Sequence, residues 1–192
     1  MENNVTTLII GTAKSKVGKD EYYVSERLRM WGVMFIAGFT DKYYKPHEHR
    51  EFTEKYKVGF YDIVEIIESK DETLKNNLRE NKEASLIYKG VENFFQNITN
   101  YYPNLSRIGF NGKTIASWVL EYNKTNNITA SSKYLQNVSE KSDEIYKKQF
   151  ELVINNRTII ANVLPNTSGR ASNFDEQPWI DFWKSIKESS KK

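Results

Sequence analysis

Twice along this chain a short apolar run ends at a glycine and gives way to helical periodicity, and that alternation constrains the fold more than any other feature. Val5 to Ile10 (VTTLII) is a compact β-branched run closed by Gly11, the form of a buried strand that delivers its C-terminal end to a loop. The next segment, residues 26 to 37, carries Leu28, Trp31, Met34 and Phe35 on a helical stripe that closes at Gly38. The same grammar returns at Arg107 to Phe110 (RIGF), where Asn111-Gly112 turns a second buried strand into a helix over Lys113 to Tyr122. Strands alternating with helices predict an α/β architecture with a partly parallel sheet.

The remaining segments fit that frame. Pro46 opens a helix, PHEHREFTEKYK, predicted to stop at Val58-Gly59, and Gly59 to Ile67 begins as an extended apolar element. Helices are predicted over Glu72 to Glu80 and over Leu86 to Ile98, the latter with Ile87, Val91, Phe94, Phe95 and Ile98 on one face. Residues 123–148 are rich in Asn, Ser, Thr and Lys and read as a polar surface insertion. Phe150 to Ile154 and Thr158 to Leu164 form a strand pair around Asn155-Asn156-Arg157. A closing helix spans Glu176 to Lys187 with Trp179, Ile180 and Trp183 inward. No repeat and no domain boundary interrupts the 192 residues, a length that suits one domain.

Composition removes several kinds of chemistry. Zero cysteines exclude disulfides, thiolate metal sites and a cysteine nucleophile. His47 and His49 are the only imidazoles; they flank Glu48 at a helix start and are expected as surface residues, so a His-based metal site or triad has almost no material. No run approaches the roughly 18 apolar residues of a membrane span. The start, Met1-Glu2-Asn3-Asn4, lacks a signal-peptide pattern, so the chain is expected to be intracellular and cytoplasmic, with its several Asn-x-Ser/Thr triplets unglycosylated. A net charge of +3 is too mild to diagnose a partner. Aromatic content of 14% is mostly core filling, Trp31 and Trp183 included, although rings also serve as stacking surfaces for bases.

Two loops, Gly11 to Tyr23 and Pro165 to Ser172, leave the C-terminal ends of strands predicted to be neighbours, which is the rim where open α/β sheets bind ligands. The first contains Gly11, Lys14, Ser15 and Gly18. It departs from a Walker phosphate loop because Gly18-Lys19 is followed by Asp20 rather than by Ser or Thr. Lys14, Lys16 and Lys19 at its mouth could meet phosphates.

Read together, these segments resemble the uracil-DNA glycosylase superfamily, closest to its mismatch-specific uracil-DNA glycosylase and hypoxanthine-DNA glycosylase branches. The pattern comprises the Gly11 to Ser15 loop, Tyr23 and Trp31 eight residues apart, and Ala37-Gly38-Phe39-Thr40-Asp41. It continues through Lys45-Pro46-His47-Glu48, Gly59-Phe60-Tyr61-Asp62-Ile63-Val64, Arg107-Ile108-Gly109-Phe110-Asn111-Gly112 and Leu164-Pro165-Asn166-Thr167-Ser168-Gly169. Order and spacing cover nearly the whole chain. The resemblance implies a three-layer α/β/α fold with a central, mainly parallel sheet of four to five strands. It also implies a monomeric enzyme that flips a deaminated base such as uracil or hypoxanthine out of DNA and hydrolyses its N-glycosidic bond without metal or cofactor.

Under that resemblance Tyr23 stacks on the extruded base, and Thr12, Ala13 and Asn111 complete the base site. Lys14, Ser15, Asn166, Thr167, Ser168, Gly169 and Arg170 contact DNA, with Arg170 as the intercalating wedge or a phosphate contact. Two departures stand out. Ala13 occupies the position of the water-positioning asparagine of the mismatch-specific branch, and Leu28 that of the catalytic asparagine of the hypoxanthine branch. Lys14 and Ser15 also replace the family's proline and glycine. A carboxylate can serve instead if it reaches the attacking water, and Asp62 is the leading candidate, with Asp20 and Glu26 behind it. The second class of function left open is a catalytically inactive protein of the same fold that binds DNA, a nucleobase or a nucleotide.

Overall fold

The computed structural model describes residues 4–13, 29–64, 84–125, 143–147, 149–167 and 174–189. Within them five strands form one sheet: β1 (Thr7–Ala13), β2 (Val58–Val64), β3 (Arg107–Asn111), β4 (Gln149–Ile154) and β5 (Arg157–Leu164), in the order β2-β1-β3-β5-β4. All pairs are parallel except β4 with β5, the antiparallel hairpin at one edge. Among the described residues five α-helices flank it: α1 (Arg29–Ile36), α2 (His49–Tyr56), α3 (Ala84–Tyr101), α4 (Lys113–Thr125) and α5 (Gln177–Ser189). The architecture is the three-layer α/β/α fold with a mainly parallel sheet.

Strand alternation divides the sheet into two faces. Leu8, Ile10, Tyr61, Ile63, Ile108, Phe110, Ala161 and Val163 pack under α3 and α4. Ile9, Phe60 and Leu164 pack under α1, α2 and α5. The predicted stripe of α3 is met residue for residue: Ile87, Val91, Phe94, Phe95 and Ile98 are all buried. That helix lies so close to β2 that a Cβ on Gly90 would stand 2.3 Å from the Ile63 carbonyl oxygen, which explains the glycine in mid-helix. Trp179, Phe182 and Trp183 of α5 are buried and Ile180 is half-buried.

Four expectations need correcting. Phe35 is 46% exposed. The buried arc of α1 runs through Met30, Trp31, Val33 and Met34, and Phe35 falls just past its edge. The end of α2 is set not by Val58-Gly59 but by Lys57, whose φ of 59° and N–H bond to the Thr53 carbonyl form a left-handed cap. Pairing with β1 draws Val58 and Gly59 into β2 instead. In the hairpin, Asn155 and Asn156 alone make the turn, both with positive φ as a type I′ turn requires. Arg157 opens β5, its guanidinium donating to the carbonyls of Tyr102 and Leu105. Finally, β1 and β5 are not neighbours; β3 runs between them.

The helix predicted over residues 72–80 and most of the polar 123–148 segment lie outside the described residues; within the latter, α4 runs to Thr125 and Asp143–Lys147 forms a 3-10 turn. No helix among the described residues is long and apolar enough to cross a membrane.

Strand order locates the edge at which open α/β sheets bind ligands. From β1 the chain moves outward to β2, then returns to place β3 on the other side of β1. The reversal puts a topological switch point between β1 and β3, and the crevice outside their carboxyl ends is the default ligand position in open α/β sheets.

Candidate functional site

Four parallel strands bring their C-terminal ends to this edge. β1 contributes Gly11, Thr12 and Ala13, β2 contributes Asp62, β3 contributes Asn111, and β5 leads into Pro165-Asn166-Thr167. Gly11 pairs in register with Asp62, and Asn111 with Leu164, so Asp62, Gly11, Asn111 and Leu164 form a row across the sheet. Alternation puts the row on the face covered by α1, α2 and α5. Gly11 brings no side chain to it, and two strand spacings separate Asp62 from Asn111, roughly 10 Å.

Asp62 lies within the extended element expected to begin at Gly59. It is the fifth residue of β2 and only 5% exposed. β2 is an edge strand, yet all seven of its residues are buried. Little bulk water reaches a carboxyl group at that depth, and the field of a charge placed there is weakly screened.

Asn111 and Thr167 form a reciprocal pair. The Thr167 N–H donates to Asn111 Oδ1 at 2.9 Å, and Asn111 Nδ2 donates to Thr167 Oγ1 at 3.1 Å. Because a backbone N–H can only donate, the first bond fixes which end of the amide is the oxygen. Gly112, at φ 118°, turns the chain from β3 into α4 immediately after this asparagine.

Thr167 is fully buried, and its carbonyl accepts from the Arg29 N–H at the start of α1 at 3.3 Å. Two residues earlier, the Pro165 carbonyl accepts from the Trp179 indole N–H of α5 at 2.7 Å. The segment after β5 is thereby tied to β3, α1 and α5 at once. Asn166 between these anchors is exposed and Thr12 half-buried. Of the two described residues expected to contact DNA, Asn166 is presented to solvent, whereas Thr167 is turned inward.

Sequence reasoning missed the anchors. Asn111-Gly112 advertises a turn, but nothing in the sequence joins Asn111 to Thr167, or Trp179 to Pro165, because each pair meets only through the sheet order. Tyr23, Lys14, Ser15, Ser168, Gly169 and Arg170, with Lys16, Lys19, Asp20, Glu26 and Leu28, lie outside the described residues, as does the side chain of Ala13.

A second concavity of about 310 Å³ occupies the same face beside β4, lined by Tyr146, Gln149, Asn162, Gln177, Asp181 and Phe182. The sheet order puts it at the opposite edge from Asp62. Residues of α5 form one wall, and polar side chains make up most of the lining.

Elsewhere, His47 is exposed and His49 half-buried, its Nδ1 lying 3.2 Å from the Pro46 carbonyl. Among the described residues no three His, Asp or Glu side chains gather to hold a metal ion. Comparison with known protein-family models finds no match to this chain, and comparison with curated proteins finds none either.

Proposed function

We propose that this protein is a monofunctional DNA glycosylase that accepts an extruded, deaminated base of the uracil or hypoxanthine type at the β1/β3 edge and hydrolyses its N-glycosidic bond. The observation that carries the reading is the row on one face of the sheet: a buried carboxylate, a glycine without a side chain, and an asparagine tied to the loop after β5. Between Asp62 and Asn111, Gly11 adds no side chain to the edge where a base-sized ring would have to enter.

Extrusion of a base costs a few kcal/mol, least when the base is already mispaired. In the reaction the bond from the base nitrogen to the sugar C1′ breaks, and water forms the new C1′–O bond. Asp62 faces the positive charge that grows on the sugar and takes the proton of the attacking water, which then passes to the departing base. The products are a free base and an abasic site, and no external cofactor enters the balance. Tyr23, Thr12 and Ala13 belong to the base site in this reading. Lys14, Ser15, Asn166, Ser168, Gly169 and Arg170 belong to the DNA surface.

A second reading, a nucleobase- or DNA-binding protein without hydrolytic activity, is favoured by one residue. Ala13, the last of β1, brings no hydrogen-bonding group to the edge.

The test is excision from end-labelled oligonucleotides carrying uracil, hypoxanthine, xanthine or thymine opposite each normal base, single- and double-stranded, with alkali cleavage of abasic sites. Wild-type cleavage of one of these, reduced about a hundredfold or more in Asp62→Asn, is the expected result. Full activity in Asp62→Asn removes the carboxylate from the mechanism. No cleavage at high enzyme concentration, with a gain in Ala13→Asn, establishes the binding protein instead.

A further inference from the structure

The reciprocal pair between Asn111 and Thr167 bears directly on what sets the shape of this edge. We infer that Asn111 is a positioning residue, a clasp that holds the loop after β5 and the start of α1 at a set distance from β3, and not a reader of the base. The inference builds on the proposed glycosylase reading but carries an arm that does not depend on it.

Three observations converge. Both polar ends of the Asn111 amide are engaged by Thr167, with the orientation set by a backbone N–H that has no alternative role. Thr167 is fully buried, and its hydroxyl and backbone N–H both turn to Asn111, so the pairing is an internal bond of the protein. The Thr167 carbonyl then takes the Arg29 N–H, which passes the restraint to the first residue of α1. Three separate stretches of chain, at 111, 167 and 29, therefore meet at one threonine.

A base reader must offer unspent donors and acceptors to the Watson–Crick edge. The Asn111 amide commits one N–H and its oxygen to a buried threonine, which fixes its plane and leaves at most the remaining N–H for a base. Its contribution lies in the width of the opening between the first residues of α1 and the end of β3. A change of about 1 Å in such a support lowers rate without changing which substrate is preferred.

The experiment compares wild type, Asn111→Ala, Thr167→Val, their double variant and Asn111→Asp. One readout is kcat/KM on two substrates that differ only at the Watson–Crick edge of the target base. A clasp predicts that Asn111→Ala lowers both values by the same factor, about tenfold or more, leaving their ratio unchanged. It predicts that the double variant is no worse than Asn111→Ala, since one interaction is lost once. Asn111→Asp recovers part of the loss, because a carboxylate still accepts the Thr167 N–H and the threonine hydroxyl can turn to donate. A changed substrate ratio, or losses that multiply in the double variant, overturns the clasp and returns Asn111 to the base site.

The second readout is amide hydrogen exchange at Thr167 and Arg29, which requires no substrate. A clasp predicts that both exchange about tenfold or more faster in Asn111→Ala while the amides of β1 are unmoved. Unchanged exchange at both overturns it. If the wild type excises nothing, the glycosylase reading fails, and exchange alone decides the clasp.

Discussion

The two faces of the sheet are packed from different material. Under α3 and α4 the core is Leu, Ile, Val, Ala, Phe, Tyr and one Trp, with no buried polar residue on the strands beneath them. Under α1, α2 and α5 the packing is carried by large rings, Trp31, Phe39, Phe52, Phe60, Trp179, Phe182 and Trp183, and polar groups are admitted among them. Thr7, Thr40, Asp62, Asn162 and Thr167, the buried polar residues of the described chain, all belong to that side. So do its buried side-chain polar atoms without a hydrogen-bond partner: Thr40 Oγ1, Asn162 Oδ1 and Trp183 Nε1. Burying a polar group without a partner costs roughly 1–3 kcal/mol, a cost that among the described residues falls on one face only. The dry face carries none of that cost; the wet face carries it and holds the candidate chemistry.

That contrast can be broken most forcefully on the dry face. Phe94 is fully buried beneath the sheet, in contact with the rings of Tyr61 and Phe95. Phe94→Ala is expected to lower unfolding free energy by about 4 kcal/mol, measured by urea denaturation. A loss under about 1 kcal/mol would show that the dry face is not the main store of stability.

A matched pair of glycine substitutions comes next. Gly90→Ala drives a Cβ to 2.3 Å from a backbone oxygen of β2, which can yield only by separating helix from sheet. About 3 kcal/mol of destabilisation is expected. Gly109→Ala, on the wet face, meets only the side-chain tips of Leu164, Ile9 and Phe182, at 2.9 to 3.0 Å. Side chains turn more easily than a backbone moves, so about 1 kcal/mol is expected there. Equal losses would remove the distinction between the two faces.

The smallest effect lies at the surface beside the wet face, where the loop after α1 is pinned to α2. Lys55 lies 2.6 Å from Asp41 and Tyr56 donates to the same carboxylate at 2.6 Å, which holds the Asp41 carboxyl down at about 2. The folded state thus favours the ionised form. Its contribution is present above the ordinary value of 3.8 and is lost as pH falls from there toward about 2. The same pair raises Lys55, so its share is lost only as pH rises beyond the usual lysine range. Both groups are open to solvent and screened, so the effect is small. Asp41→Asn should flatten the acid limb of a stability-against-pH curve slightly, and high salt should flatten it in the wild type. An unaltered acid limb in that variant would assign it to other carboxylates.

What could be read in advance follows from the range of the interaction involved. The α3 stripe and the strand that leads into Gly112 depend on neighbours within a few residues, and each stands where the pattern puts it; the hairpin turn also falls there, although it takes only Asn155 and Asn156 and leaves Arg157 to β5. Phe35 and the α2 terminus were misread because a short helix has a narrow buried arc and because β1 recruits Val58 and Gly59 by pairing from far along the chain. Asp62 was legible as a carboxylate after an apolar run. Its place within a buried strand was not, since burial of an edge strand on both faces depends on the layers that cover it.

By itself, the sequence determined the kinds of element, their order and the chemistry absent from the chain: alternation at periods of 2 and 3.6 is written locally, and a missing cysteine is missing in any fold. Only the tertiary structure decided that β3 separates β1 from β5, that Asp62, Gly11 and Asn111 form one row, and that Asn111 holds Thr167. Those facts rest on strand pairings and hydrogen bonds between residues far apart in the chain, 56 positions for Asn111 and Thr167 and more for β1 with β3, and the local pattern carries no record of them.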